Sequence, residues 1–293
     1  MILHFSIHEV SGYINWGYFF HAWGFQPRFA TIANLHGCDA CRALWLANFP
    51  ENERAKAAEA MQLFKEANRM LSSLDANFRT HAIFKLLDAN SEGNDIWIGG
   101  VRFPFLRQQT AKEGKPYLCL SDFIRPLSGG IKDKIGLFST TVDTDLETLY
   151  LEDHYQHLLV QTLADRLAEA TAEKIHETIR KEIWGYAPHE NLTVQQLHQE
   201  VFQGIRPAVG YPSLPDQSIN FLLDKLLDMQ QIGIHLTENG MMQPHASVSG
   251  FMFAHPASHY FSIGKIDKEQ LEDYAARRGM ELPTMRKFLL ANI

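Results

Sequence analysis

The sequence predicts an α+β fold with an antiparallel sheet, and three observations point there. Helix-like and strand-like segments fall in separate runs, with no regular βαβ alternation. Neither G-x-G-x-x-G nor G-x-x-x-x-G-K-S/T occurs, which argues against a parallel nucleotide-binding sheet. No repeat of 20–50 residues and no Pro/Ser linker divides the 293 residues, so one domain is expected over 1–293.

The elements follow from hydrophobic period and from their end signals. Over 52–74, Ala57, Met61, Phe64, Ala67, Leu71 and Leu74 recur at three- and four-residue steps, the buried stripe of a helix. Strands are expected over 95–101 and 134–142. A long helix is expected over 152–184, with Leu159, Leu163, Leu167, Ala170, Ile175 and Ile179 facing inward and Gly185 stopping it. Helices over 193–202 and 216–231 precede strands over 234–238, 246–254 and 259–266. His255-Pro256-Ala257-Ser258 reads as a turn joining the last two strands into a hairpin, with Tyr260 and Phe261 on opposite faces of the second. A helix over 267–279 opens on Asp267 with Gln270 three residues on, as in a capping box. Gly279 stands where a left-handed cap belongs, and a short helix from Pro283 ends the chain. Residues 1–75 thus form a mainly helical part and 76–293 a part with the sheet. The aromatic-rich run from Tyr13 to Trp23 reads as core or interface.

Composition narrows the function classes. With 45% hydrophobic and 21% charged residues the chain has ample material for a core and is not a disordered one. Lys plus Arg number 27 against 34 Asp plus Glu, so the net charge of -7 argues against nucleic acid as a partner. No apolar run reaches the roughly 20 residues of a membrane span, and Met1–Val10 makes a poor secretory signal. Three cysteines cannot build a disulfide framework, which favours a reducing, cytoplasmic home. Cys38-x-x-Cys41, with His36 before it, is a candidate metal or redox pair. A structural zinc needs four ligands and no second pair stands at finger spacing, so two thiols near a helix start are expected and no metal.

Two features carry chemistry. The segment Gly204-Ile-Arg206-Pro207-Ala208-Val209-Gly210-Tyr211-Pro212-Ser213 follows a helix and fixes a non-repetitive backbone with two prolines and two glycines. Arg206 offers a planar fork for a carboxylate, and Tyr211 a ring face with a hydroxyl. A binding loop and a rigid connector with a structural arginine both fit. On the long helix, Asp165, Glu169 and Glu173 fall at i, i+4 and i+8 on one face. That stripe is a solvated face or an edge turned to a cation or a partner protein.

The motifs then resemble a known family. Arg206-Pro-Ala-Val-Gly210-Tyr211-Pro212 is similar to the Arg-Pro-Ala-x-Gly-Tyr-Pro loop of the activation domain of cobalamin-dependent methionine synthase. Leu163-Ala-Asp165-Arg166-Leu-Ala-Glu169-Ala and Trp184-Gly-Tyr186-Ala-Pro resemble its long helix and the turn after it. Leu236-Thr-Glu238, Ala246-Ser-Val-Ser-Gly250, His255-Pro256 and the run from Asp273 to Met280 resemble its C-terminal third. Ile14-Asn15-Trp16 with Phe19-Phe20, Leu106-Arg107-Gln108-Gln109-Thr110 and Leu120-Ser-Asp122-Phe123 fit upstream, and residues 30–55 fit least.

The resemblance implies a single curved domain with a central twisted antiparallel sheet flanked by helices. It also implies a reactivation module of the methyltransferase class, active only with a cobalamin-bearing partner. Such a module binds S-adenosyl-L-methionine and supports reductive methylation of inactive cob(II)alamin to methylcobalamin, with flavodoxin or a similar protein as electron donor. By the same resemblance Arg206 holds the methionine carboxylate, and the backbone at Pro207, Ala208, Gly210 and Ser213 approaches the ligand. Tyr211 stands near the methyl group and the corrin as the residue closest to the chemistry. Tyr260 and Phe261 line the adenosine end, Glu169 and Glu200 stand near the sulfonium, and Asp165 faces the cobalamin-bearing partner. The family commonly has an acid where this chain has Asn15, at the ligand amino group, so weaker binding or a compensating acid is expected. Nothing here resembles the homocysteine, folate or cobalamin modules. A stand-alone polypeptide acting in trans on a cobalamin-carrying synthase is preferred over a domain excised from a longer parent chain. The competing functional class is a non-catalytic sensor or scaffold that binds S-adenosylmethionine or a corrinoid protein. A Cys38/Cys41 metal or thiol-redox protein is the third reading.

Overall fold

A computed structural model describes residues 1–35, 38–110 and 114–293. The strands are β1 (Ile2–Ser6), β2 (Arg79–Glu92), β3 (Asp95–Ile98), β4 (Val101–Pro104), β5 (Asp133–Val142), β6 (His235–Leu236), β7 (Met242–Gln243) and β8 (Ser247–Met252). The α-helices are α1 (Ile7–Ser11), α2 (Trp16–Ala22), α3 (Asp39–Ala47), α4 (Glu51–Leu74), α5 (His154–Thr178), α6 (Val194–His198), α7 (Ile219–Leu227), α8 (Lys268–Arg278) and α9 (Leu282–Phe288).

Six strands form one curled antiparallel sheet in the order β4-β3-β2-β5-β8, with β1 paired to the first half of β2. Strand β2 is the spine, with Thr80–Ala89 on β5, residues 79–83 on β1 and residues 89–92 on β3. The long helix α5 crosses one face of the sheet. Its Ala168 and Ala172, one turn apart, let it lie close enough for the Thr140 hydroxyl to donate to the Ala168 carbonyl at 2.9 Å. Thr171 donates to the Thr80 hydroxyl at 2.8 Å, so the contact is polar at its centre and apolar around it. The other face carries Phe103, Phe105, Phe251 and Phe253 packed against Leu223 and Leu227 of α7. The N-terminal helices bury Phe19, Phe20, Met61 and Leu71 against the first half of α5. Among the described residues no helix is long and apolar enough to cross a membrane.

Several expectations need correction. The hairpin of 246–254 with 259–266 does not form: residues 259–266 carry no strand. The edge of β8 is already taken by the incoming loop, with Ile205 bridging Phe253 and Ala208 bridging Gly250. The returning chain is pushed outward and ties to that loop instead, Ile263 N–H donating to the Pro212 carbonyl at 2.9 Å. Tyr260 and Phe261 therefore lie on an irregular segment rather than on opposite faces of a strand.

The expected strand over 95–101 splits into β3 and β4 because Gly99 and Gly100 both adopt positive φ and turn the chain. Within the part expected to be helical, Ile2–Ser6 is a strand. Helix 216–231 shortens to α7 plus a 3₁₀ turn, broken at Asp228 with φ 59°. Helix 193–202 stops at His198. The helix over 152–184 continues past α5 as a π-helical turn over Ile179–Ile183 before Gly185. Asp267 caps α8 through Gln270 N–H at 2.8 Å, but the Gln270 side chain pairs with the Arg107 backbone rather than closing a capping box.

Gly250 is the position on which the loop's course depends, because a Cβ there would lie 2.2 Å from the Pro207 carbonyl oxygen. Gly250→Ala is expected to cost about 1–3 kcal/mol through that overlap, read as a shifted urea midpoint at unchanged slope.

Candidate functional site

Three walls meet in a cleft of about 610 Å³. The first is the outer side of α5, which presents Arg166, Glu169, Ala170 and Glu173 at helical spacing. The second is the loop after residue 204, pinned to β8 by backbone bonds from Val209 N–H to Ser249 at 2.9 Å and from Phe251 N–H to Pro207 at 3.1 Å. Its turn is completed by Gly210 N–H on the Leu214 carbonyl at 2.8 Å. The third wall is the segment with Leu197, His198, Glu200 and Phe202. Tyr13, Asn15 and Tyr18 from the N-terminal helices line one side, and Tyr260, Phe261 and Ser262 another.

Arg206 is the charged centre. Its Nη2 lies 3.1 Å from Glu173 Oε2 and its Nη1 4.0 Å from Glu169 Oε2, with both Arg206 and Glu173 side chains 11% exposed. The Arg206 backbone N–H donates to the Tyr260 hydroxyl at 2.9 Å, and the guanidinium sits 5.7 Å from the Phe138 ring centre. Burial by itself would ease deprotonation, but Glu173, Tyr260 and Glu169 outweigh it and hold the guanidinium above its ordinary pKa. Two atoms in this constellation are buried without a protein partner, Arg206 Nε and Glu173 Oε1. Buried polar atoms are rarely left so, and both belong to residues lining the cleft.

The remaining expected residues divide clearly. Tyr211 lies at the mouth, 49% exposed, its hydroxyl donating to Glu169 Oε1, and burial followed by the Glu169 charge pushes the phenol up. Glu200 lies at the rim with φ 57°, a left-handed conformation uncommon outside glycine. Partial burial and then the Glu173 charge raise its carboxyl pKa, with Arg206 opposing. Burial pushes the Tyr260 phenol up to about 12. Asn15, Pro207, Ala208, Ser213 and Phe261 line the cleft. Asn15 also caps α2, its Oδ1 accepting from Gly17 N–H at 3.1 Å. Gly210 does not line the cleft. Its φ of 88° shapes the turn, and a Cβ there would sit 2.3 Å from Gln217 Nε2. Asp165 lies outside the cleft too, half-buried, its carboxyl raised by burial, with His245 and Arg166 pulling the other way.

Sequence reasoning missed the role of Glu173, whose residue is 8% exposed. The stripe at 165, 169 and 173 held the signal, but only the folded loop shows that a cation meets it. Tyr13, Tyr18, Arg166, His198 and Phe202 were also missed as lining residues. Cys38 caps α3, its Sγ accepting from Cys41 N–H at 3.2 Å, and the Cys41 thiol, followed by that backbone bond, lowers the Cys38 thiol pKa. His36 lies outside the described residues, and among the described residues no three His, Cys, Asp or Glu side chains come together as metal ligands.

Fold and cleft together define a class: an α+β domain with a curled antiparallel sheet and a mixed-charge cleft between sheet edge and long helix. The family model for the vitamin B12 dependent methionine synthase activation domain matches residues 6–279. The chain belongs to that family. It is also similar to the crystal structure of the MetH reactivation domain bound to AdoHcy, with a TM-score of 0.87 and 36% identity, covering 100% of this chain and 90% of that one.

Because the Arg206 and Glu173 side chains are each only 11% exposed, removing one partner strands a charge. Arg206→Met is expected to cost about 3–5 kcal/mol of stability by urea denaturation, well beyond the effect of a surface substitution.

Proposed function

We propose that the cleft binds S-adenosylmethionine and aims its methyl group at the cobalt of cobalamin carried by a separate module, restoring methylcobalamin after one-electron reduction of cob(II)alamin. The observation that carries this is the charge pattern: three carboxylates, Glu169, Glu173 and Glu200, face two guanidiniums, Arg166 and Arg206, in one cleft of ligand size. That excess of negative charge suits a ligand with one carboxylate and two cations. When bound, S-adenosylmethionine supplies a sulfonium-activated methyl group.

The residues divide the work by chemistry. Arg206, with Nε free of protein partners, binds the carboxylate by charge-assisted hydrogen bonds. Glu169 and Glu200 offset the cationic end, and Tyr260 with Phe261 packs the adenosine. The backbone at Pro207, Ala208 and Ser213 forms a close, fixed surface, and Tyr211 shields and orients the methyl group at the open mouth. Methyl transfer is an in-line displacement, so orientation matters and no general base is required. Asp165, outside the cleft on the same helix, faces the cobalamin-bearing module. The electron donor is flavodoxin or a similar protein, and the setting is cytoplasmic.

Asn15 Oδ1 already accepts from the Gly17 N–H, so a ligand ammonium meets at most one remaining lone pair of a neutral amide beside a donating NH₂, a weaker partner than a carboxylate. Asn15→Asp preserves the helix cap and supplies a second carboxylate oxygen. It is expected to raise S-adenosylmethionine affinity about 5–10-fold by titration calorimetry, and unchanged affinity would exclude Asn15 from the ammonium site.

Wild type is expected to bind S-adenosylmethionine more tightly than S-adenosylhomocysteine, which lacks the sulfonium charge. That preference narrows as pH falls through the raised pKa of Glu200, because the carboxylate form attracts the cation. Glu200→Gln is expected to narrow the preference, leaving the share due to Glu169, and to remove this pH dependence. The function as a whole is tested by adding the chain to an inactive cobalamin-bearing synthase with a reductant and S-adenosylmethionine. Ligand binding without recovery of activity would leave a sensor or scaffold.

A further inference from the structure

Behind the cleft, α5 ends in an arrangement that the proposed ligand chemistry does not use. Arg180, in the π-helical turn, is wholly buried, and it grips Glu190 with Nη2–Oε1 at 2.6 Å and Nε–Oε2 at 3.0 Å. Its guanidinium carbon lies 4.2 Å from the centre of the Phe202 ring. His176, one turn earlier on α5, meets the same ring edge-on at 5.0 Å. Phe202 lines the cleft, so this side chain is the physical link between the buried cluster and the site.

The cluster is expensive. Both ring nitrogens of His176 and Arg180 Nη1 are buried with no partner, and burial followed by the Arg180 and Arg206 charges holds His176 well below its ordinary pKa, neutral. An apolar core of the same volume would avoid these costs and is often more stable than a buried ion pair. The segment from Ala187 to Phe202 is otherwise lightly held. It contains only the single short helix α6, and its links to the body include Ala187 N–H on the Arg180 carbonyl at 2.9 Å and His198 Nε2 on the Tyr13 carbonyl at 3.0 Å. This same segment carries Leu197, His198, Glu200 and Phe202 into the cleft.

We propose that Arg180 is a positioning residue: clamped to Glu190 and stacked on Phe202, it fixes the third wall of the cleft at the spacing the ligand requires. The inference rests on the reading of the cleft as a nucleoside-sulfonium site. It adds that the affinity of this site is set in part by a side chain that never touches the ligand.

The test uses the whole 293-residue chain with S-adenosylhomocysteine as probe. The double variant Arg180→Met, Glu190→Met removes both charges, so thermal stability is expected to stay close to wild type. Amide hydrogen exchange over 194–202 is expected to accelerate at least about ten-fold without ligand, while β5 stays protected, and affinity is expected to fall about ten-fold. If the double variant does not fold, Arg180→Lys serves, since it keeps the charge beside Glu190 but loses the flat face on Phe202; the same affinity loss is expected. Wild-type exchange over 194–202 in the variant overturns the clamp. Faster exchange with wild-type affinity overturns the positioning role. If the wild-type chain itself ignores the probe, the cleft reading fails, and the ligand-free exchange still decides the clamp.

Discussion

The contact between Arg206 and Glu173, the shortest ion pair between loop and helix, joins two parts of the molecule that otherwise meet here through Tyr211 on Glu169 and the packing of Ala208 on the helix alanines. Arg206 belongs to a loop lying on the edge of the sheet, and Glu173 to the helix that crosses the sheet's face. Each charge loses water on burial, and the closest compensation each finds is the other. The pair therefore sets the distance between loop and helix, and with it the width of the cleft. It is also incomplete: one nitrogen of the arginine and one oxygen of the glutamate have no protein partner. A site whose charges are satisfied in the free protein gains little from a ligand. This one keeps hydrogen-bonding capacity in reserve, in a place where water is scarce and each bond counts for more.

Small residues make that geometry attainable. Gly250 has no side chain because Pro207 occupies the space one would fill, and Ala208 bridges to Gly250 along the strand edge. On the face of the sheet that Ala208 also packs against, Ala168 and Ala172 draw α5 down until a threonine hydroxyl reaches its backbone. Loop and helix are thus both lowered onto the sheet, and the arginine spans what remains. The proline–glycine composition of the loop and the alanines of the helix are parts of one arrangement. Larger residues at any of these positions would lift one wall relative to the other.

The sequence disclosed the elements whose neighbours are local. Helices α4 and α5 were legible from the three- and four-residue recurrence of their apolar residues and α8 from Asp267 and Gly279, signals that lie within each segment itself. Strand β2, fourteen residues long, was not legible. Core covers both its faces, Ala82 and Phe84 toward α5 and Ile83 and Ala89 toward the phenylalanine cluster, so the alternation that marks a strand is absent. The mistaken hairpin has a related cause. Residues 259–266 have the composition of a strand, but the edge they would pair with was taken by residues 205–208, a competition between distant segments that local pattern cannot register. The site divides the same way. The Arg206–Pro212 loop announced itself by composition, whereas Glu173 looked like one more charge on a solvated helix until the loop closed over it.

The walls of the cleft are held by different kinds of bond. The loop from Ile205 to Val209 is fastened to β8 by backbone hydrogen bonds in sheet register, which open only when the sheet itself opens. The helix wall is part of the longest helix in the molecule and packs along the sheet. The wall from Leu197 to Phe202 is fastened through side chains, a buried arginine–glutamate grip and a histidine on a carbonyl, together with a few turn bonds. Side-chain grips release by rotamer changes, which are faster and more local than breaking a sheet ladder. The sheet-bound loop is accordingly the fixed surface of the cleft. Among the described residues, the segment hung on Arg180 and His198 is the wall whose position depends on side chains rather than on sheet register.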